Sequence, residues 1–212
     1  MPRDKLKKFK ELSALPNVRQ LTDDDLKDKL DNFLAQKKLV ILELGCGKGE
    51  YSNALAKNET AKQFIGVDIQ GERLWYGAKQ ALEEKLANVL FLRIQIENLL
   101  DYFDKNSISE IWLTFPDPYP KTKHLTKRLT SPRFLNIYKK ILQPDGIVHL
   151  KTDNQNLFKY SLETIEEFGG QIIESHSDLC KDKINDPKLA IQTTFEKKCL
   201  TGEQIYYLKF QL

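Results

Sequence analysis

Short apolar runs recur along most of the chain: "LVILEL" (39–44), "FIGVDI" (64–69), "VLFLRI" (89–94), "ISEIWLTF" (108–115) and "GIVHLK" (146–151). They are nearly continuous rather than alternating, the pattern of strands buried on both faces. The pieces between them follow a helical period. "GERLWYGAKQALEEKL" places Leu74, Gly77, Ala78, Ala81 and Leu82 along one face, and "SPRFLNIYKKIL" clusters Phe134, Leu135, Ile137, Tyr138, Ile141 and Leu142 at helical spacing. A further helix is expected near Leu157–Phe168, followed by "GGQIIES", a long polar stretch and "EQIYYLKFQL". The last two read as strands of an antiparallel hairpin with a long connection at its tip. Strand and helix in alternation predict an α/β fold, a parallel sheet with helices on both faces and right-handed crossovers.

Residues 1–38 lack this pattern. They hold a basic block, "KLKKFK", and an acidic one, "DDDLKDKLD", and read as an extension, in part disordered, with room for one helix before a domain at 39–212. A break is expected between the blocks at Pro16-Asn17. The length of 212 residues suits one sizeable core. A net charge of +3 does not identify a partner, so the distribution of charge must. Cys46, Cys180 and Cys199 are widely spaced and odd in number, which fits reduced thiols in a cytoplasmic protein better than a disulfide scaffold or a zinc site. No apolar run has the length of a membrane span, and the first residues lack the apolar core of a signal peptide. The reading is a soluble protein with no metal, as a monomer or a homodimer.

Candidate chemistry starts after the first apolar run. In "LVILELGCGKGEYSNALA" a strand meets Gly45, Gly47 and Gly49 and then a helix. Such a loop either packs a helix tightly on a sheet or lets the backbone approach a ligand. Asp68 follows roughly 20 residues on, at the end of the next strand, where an acid accepts hydrogen bonds from both hydroxyls of a ribose. Glu43, two residues before the first glycine, would repel a pyrophosphate but could hold an ammonium. This favours S-adenosylmethionine over a dinucleotide. The ExGxGxG order resembles motif I of class I methyltransferases, which implies a Rossmann-like α/β fold with a seven-stranded, mostly parallel sheet, its last strand antiparallel and helices on both faces. "EQIYYLKFQL" is the natural candidate for that strand.

The second site follows "ISEIWLTF". "PDPYPK" leaves the carboxyl end of that strand, where ligands bind in open α/β sheets, and two prolines restrict the backbone around Asp117. Between Pro118 and Pro144 there is no acidic residue, while Lys121, Lys123, Lys127, Arg128, Arg133, Lys139 and Lys140 are all cationic. A solvated helix face mixes signs, so a one-sign run beside the expected site reads as a track for phosphates, with Lys123, Lys127 and Arg128 as candidates for backbone contacts.

The blocks "LTFPDPYPKTKHLTKRLTSPRFLNIYKKIL", "HLKTDN" and "TTFE" resemble the bacterial tRNA (guanine-N7)-methyltransferases, the TrmB family. The likeness runs from about Leu39 to the C-terminus. It implies methyl transfer from S-adenosylmethionine to N7 of the guanosine at position 46 in the tRNA variable loop. It implies that Glu43, Asp68 and Asp117 line the cofactor site and that Lys121, Asp153 and Thr193, Thr194, Phe195 and Glu196 touch the substrate. Two positions depart from many relatives: Gln95 stands where an Asp is common, with an amide oxygen still able to accept from an adenine amine, and Thr194 stands where some carry Lys. Without the resemblance, Asp153 would be read as the cap of the following helix, Glu196 as a surface acid and Asp117 as part of a surface turn.

N7 of guanine has an exposed lone pair and no proton, so no base is needed to make it a nucleophile. Asp117 is expected to position guanine or cofactor and to support the moving positive charge. Other classes fit parts of the pattern. An N-methyltransferase of exocyclic amines or protein side chains would share the loose "DPYP" likeness. A non-catalytic RNA-binding subunit need not keep the glycines and all three acids, and Glu43 disfavours a nicotinamide dehydrogenase.

Overall fold

A computed structural model describes residues 3–36, 38–179, 181–182, 186–191, 193 and 204–212, with side chains from Lys7 onward. The chain forms two compact units, Met1–Tyr102 and Phe103–Leu212.

In the first unit four parallel strands run in the order β1 (Val18–Gln20), β4 (Val89–Arg93), β3 (Gln63–Val67) and β2 (Val40–Leu44). β2 and β3 are buried along their whole length, as continuous Val, Ile, Leu and Phe require when both faces are covered. Leu44 pairs with Val67, and Val67 with Leu92, so the carboxyl ends of β2, β3 and β4 lie level. The helices are α1 (Arg3–Leu12), α2 (Leu26–Leu34), α3 (Glu50–Asn58) and α4 (Gly71–Glu83).

The segment before residue 39 supplies two helices and a strand, where one helix was expected. Its apolar residues are few but well placed. Leu12, Val18, Leu26 and Leu30 are buried, Lys8 pairs with Glu72 of α4 at 3.2 Å, and Trp75 Nε1 donates to Glu11 at 2.9 Å. In α4, Leu74, Gly77, Ala78 and Ala81 face inward as expected, but Leu82 is exposed. Eight residues on, it lies roughly 80° round the axis from Leu74.

In the second unit β5 (Ile108–Thr114) pairs in parallel with β6 (Leu142–Thr152), and β6 pairs antiparallel with β8 (Tyr206–Gln211), which pairs antiparallel with β7 (Gln171–His176). The predicted antiparallel last strand and its hairpin are therefore present. β1 adds one strand to the seven expected. α5 (Pro132–Ile141) starts with Pro at its first turn, where a missing N–H costs nothing, and α6 (Gln155–Glu167) lies between β6 and β7 in the chain. All six residues expected on the buried face of the α5 segment are buried. Among the described residues no helix is long and apolar enough to cross a membrane.

Candidate active site

The chain turns immediately after β2. Gly45, Gly47 and Gly49 have φ of 74°, 55° and 65°, a region L-residues rarely enter. The amides of Gly45 and Cys46 both donate to the Val67 carbonyl, at 2.8 and 3.1 Å, and Gly49 donates to the Cys46 carbonyl at 2.8 Å. The glycines then differ in what surrounds them. A β-carbon on Gly49 would overlap the Phe91 ring, with Cζ at 2.7 Å, whereas one on Gly47 would meet nothing within 4 Å. Gly49 is required by packing. Gly47 presents bare backbone to open space, where a ligand can approach. Gly77 completes the clamp, because a β-carbon there would overlap the Lys48 carbonyl. A glycine in a helix interior, costing about 1 kcal/mol against Ala, was the signal for that close approach.

Asp68 joins this loop directly. Its Oδ2 accepts from Gly47 N–H at 2.9 Å and its Oδ1 from Gln70 N–H at 2.7 Å. A carboxylate has about four acceptor positions, so room for ribose hydroxyls remains. Glu43 is buried, and its Oε2 accepts from the Ser52 amide at 2.9 Å and the Ser52 hydroxyl at 2.5 Å. It thus anchors the first turn of α3, a structural role that sequence reading missed and that a Ser three residues beyond the last glycine could have suggested. Gln95 is exposed just past β4. Ile69, next to Asp68, is 52% exposed, an apolar side chain at a strand end that the sequence reading took for the end of a buried run. Cys46 is buried and its thiol is pushed up by burial and by the charges of Glu43 and Asp68, which disfavours the thiolate.

In the second unit, Phe115 continues from β5 with its amide bonded to the Lys151 carbonyl at 2.8 Å. Phe115 and Tyr119 have φ of 49° and 40°, costing on the order of 1 kcal/mol or more each. Asp117 lies exposed between them. Thr114 pairs with Lys151, so the Asp117 loop and Asp153 leave adjacent strand ends. Asp153 is not the cap of α6. Asn154 is, its Oδ1 accepting from Leu157 N–H at 2.9 Å.

Six of the seven cations between Pro118 and Pro144 are exposed or line the surface, Lys121, Lys123 and Lys127 among them. Arg128 departs from the phosphate track expected for it. It is 6% exposed, donates to the Pro118 carbonyl at 2.9 Å and the Tyr119 carbonyl at 3.2 Å, and lies 4.3 Å over the Tyr160 ring. Its guanidinium is spent inside the loop. Thr193 is buried, while Thr194, Phe195, Glu196, Cys180 and Cys199 lie outside the described residues.

The segment leading to Thr193 crosses polar groups on one sheet face. Lys151 is fully buried, donates to the Leu189 carbonyl at 3.2 Å and is pushed down by burial to about 7 despite the charge of Asp186. Lys188 meets Glu110 at 2.8 Å; burial raises the Glu110 carboxyl, but His149 and Lys188 outweigh it and hold it well below its ordinary range. His149 stacks on Trp112 at 3.8 Å and bonds Tyr207 Oη at 2.7 Å. Among the described residues no group of His, Cys, Asp or Glu could hold a metal ion.

A family model described as "Putative methyltransferase" matches residues 37–208. Over 220 residues the chain is 42% identical to the tRNA (guanine-N(7)-)-methyltransferase of Christiangramia forsetii, covering 99% of this chain and 98% of that protein. The chain belongs to the tRNA (guanine-N7)-methyltransferase family. Members from Bacteroides thetaiotaomicron, 40% identical over 100% of this chain and 87% of their own, and Cytophaga hutchinsonii, 37% identical over 100% and 98%, carry the same name. Solved structures place the fold among methyltransferases. The 16S rRNA methyltransferase KamB matches with a TM-score of 0.68 at 13% identity, covering 87% of this chain and 93% of its own. An antibiotic-related methyltransferase matches with 0.66 at 19%, covering 90% and 96%. Of the residues expected in the site, Glu43 lies in β2 with Gly45, Gly47 and Gly49 after it, Asp68 follows β3 and Gln95 follows β4 in one unit, while Asp117 and Lys121 follow β5 and Asp153 follows β6 in the other.

Proposed function

We propose that the chain transfers the methyl group of S-adenosylmethionine to N7 of guanosine 46 in the variable loop of tRNA. Full-length identity of 42% to a protein named for guanine-N7 methylation of tRNA carries this reading. The donor set of the glycine loop fits the cofactor. Gly47 leaves open space beside a left-handed backbone, and Asp68 offers a carboxylate level with the loop. S-adenosylmethionine, when bound, supplies an electrophilic methyl group on a sulfonium.

In this proposal Gly45, Gly47 and Gly49 shape the backbone of the cofactor site, Asp68 accepts from the ribose hydroxyls and Gln95 from the adenine amine. Glu43 acts through the loop, holding α3 while favouring a positively charged amino-acid end. Asp117 is the catalytic residue: it orients the guanine or the cofactor and stabilises the positive charge that the base gains, without abstracting a proton. Asp153 or Glu196 accepts from guanine N1 and the 2-amino group, which adenine cannot supply in that form. Thr193, Thr194 and Phe195 belong to the same substrate segment. Lys121 grips the substrate, with Lys123 and Lys127 on nearby phosphates. The target base leaves its stack to react.

The test is methyl transfer from labelled S-adenosylmethionine to unmodified bulk tRNA, with nucleoside analysis and a tRNA bearing adenosine at position 46. Label in 7-methylguanosine that disappears with the altered tRNA is the expected result. Label in a methylated exocyclic amine would move the enzyme to that neighbouring class, and no label in any RNA would remove the substrate half of the reading.

A further inference from the structure

The loop that carries Asp117 is poor in backbone donors of its own. Pro116, Pro118 and Pro120 have no amide to donate, and Phe115 and Tyr119 sit at φ of 49° and 40°, conformations that L-residues keep only when surrounding structure imposes them. Arg128 supplies what the prolines lack. Its Nε donates to the Pro118 carbonyl at 2.9 Å and its Nη2 to the Tyr119 carbonyl at 3.2 Å, two consecutive acceptors matched by one planar fork.

The arginine is itself fixed from two sides. Its amide closes the short 3-10 turn of Thr122–Lys127 through the Leu125 carbonyl at 3.1 Å, and its guanidinium lies 4.3 Å over the ring of Tyr160 on α6. It is 6% exposed in a basic stretch whose other cations face outward, so its charge is turned away from any phosphate track.

We infer that Arg128 is a positioning residue for Asp117: by bonding the two carbonyls that follow Asp117 and stacking on Tyr160, it holds the loop in the shape the reaction needs. This rests on the function proposed above. Lysine keeps the charge but has neither the fork nor the flat face, so Arg128→Lys isolates the geometry.

The experiment compares the wild-type chain, Arg128→Lys, Tyr160→Leu and Lys121→Ala after thermal unfolding has shown each to be folded. Hydrogen exchange at the Phe115 amide, which enters the loop bonded to the Lys151 carbonyl at 2.8 Å, reads the loop without reference to activity, and the expected result is acceleration of about tenfold or more in Arg128→Lys. Turnover on tRNA falls by about tenfold or more while KM changes by less than about twofold, because misplaced rather than unbound substrate limits the reaction. Added to Asp117→Asn, the Arg128→Lys change costs little more, since both act at one group.

The salt dependence of tRNA affinity is unchanged in Arg128→Lys, while Lys121→Ala lowers its slope by about one. Tyr160→Leu gives a smaller effect of the same kind and carries the test if Arg128→Lys does not fold. Unchanged exchange at Phe115, or a salt slope lowered by about one with turnover intact, overturns the inference. A wild-type protein that makes no 7-methylguanosine overturns the proposed function instead, and the exchange result then decides on Arg128 alone.

Discussion

The glycine loop after β2 and the proline loop after β5 both leave the carboxyl end of a parallel strand, yet opposite devices hold them. The first is held chiefly by backbone, with one side-chain bond, from the Gly47 amide to the Asp68 carboxylate at 2.9 Å. Its positive φ values fall on glycines, its amides bond the Val67 and Cys46 carbonyls, and Gly49 and Gly77 let helix and strand close on it. The second places positive φ on Phe115 and Tyr119, fills itself with residues that cannot donate, and relies on a side chain from beyond the loop, Arg128. A backbone-held loop is written in local residue types and survives most distant changes. One held by a side chain is exposed to a single substitution some ten residues away.

The largest expected effect tests what the proline loop is for. Asp117→Ala lowers turnover by about 10²–10³-fold, about 3–4 kcal/mol of transition-state stabilisation, measured by single-turnover methylation. A loss of less than tenfold would deny that the loop presents a catalytic carboxylate.

Next comes the glycine loop. Gly49→Ala meets the Phe91 ring and destabilises the fold by about 2–3 kcal/mol. Gly47→Ala meets only backbone strain, about 1 kcal/mol, while weakening cofactor binding more than stability. Denaturant midpoints and calorimetric titration with S-adenosylmethionine separate the two, and equal losses of stability would erase the distinction between packing glycine and ligand-facing glycine.

A smaller effect follows from Lys151, whose carbonyl anchors Phe115 and whose ammonium burial pushes to about 7. The folded chain binds fewer protons than the unfolded one between about pH 7 and the ordinary lysine value of 10.5. Unfolding free energy therefore rises with pH across that window, by about 1 kcal/mol from pH 7 to 8. Lys151→Met removes this rise, and an identical pH slope in variant and wild type would assign it to other groups. The smallest effect is at the α6 cap. Asn154→Ala costs about 1 kcal/mol or less of stability, and Asp153→Ala costs less than that while impairing methylation.

The sequence by itself determined the strand and helix alternation, because a strand buried on both faces must be continuously apolar and a helix on a sheet must be apolar at its own period. The glycines and an acid one strand further on likewise pointed to a ligand loop through residue type alone, beside the plainer reading of a tightly packed turn. It also carried the family resemblance, since "FPDPYPKTKH" is a local string. Tertiary structure decided the rest. Charge alone made Arg128 equal to its lysine neighbours, and only the fold shows it buried beneath the loop on Tyr160. Without the resemblance, Asp153 read as the cap of the following helix, and the turn into α6 gave that place to Asn154. Glu43 gained a partner in Ser52 that depends on how α3 enters the sheet. Residue 1–38 composition, poor in apolar groups, hid a strand and two helices in which Leu12, Leu26 and Leu30 are buried. Short-range pattern fixes which elements form, whereas the direction in which a charged side chain turns is set by partners that only the folded chain brings within hydrogen-bond distance.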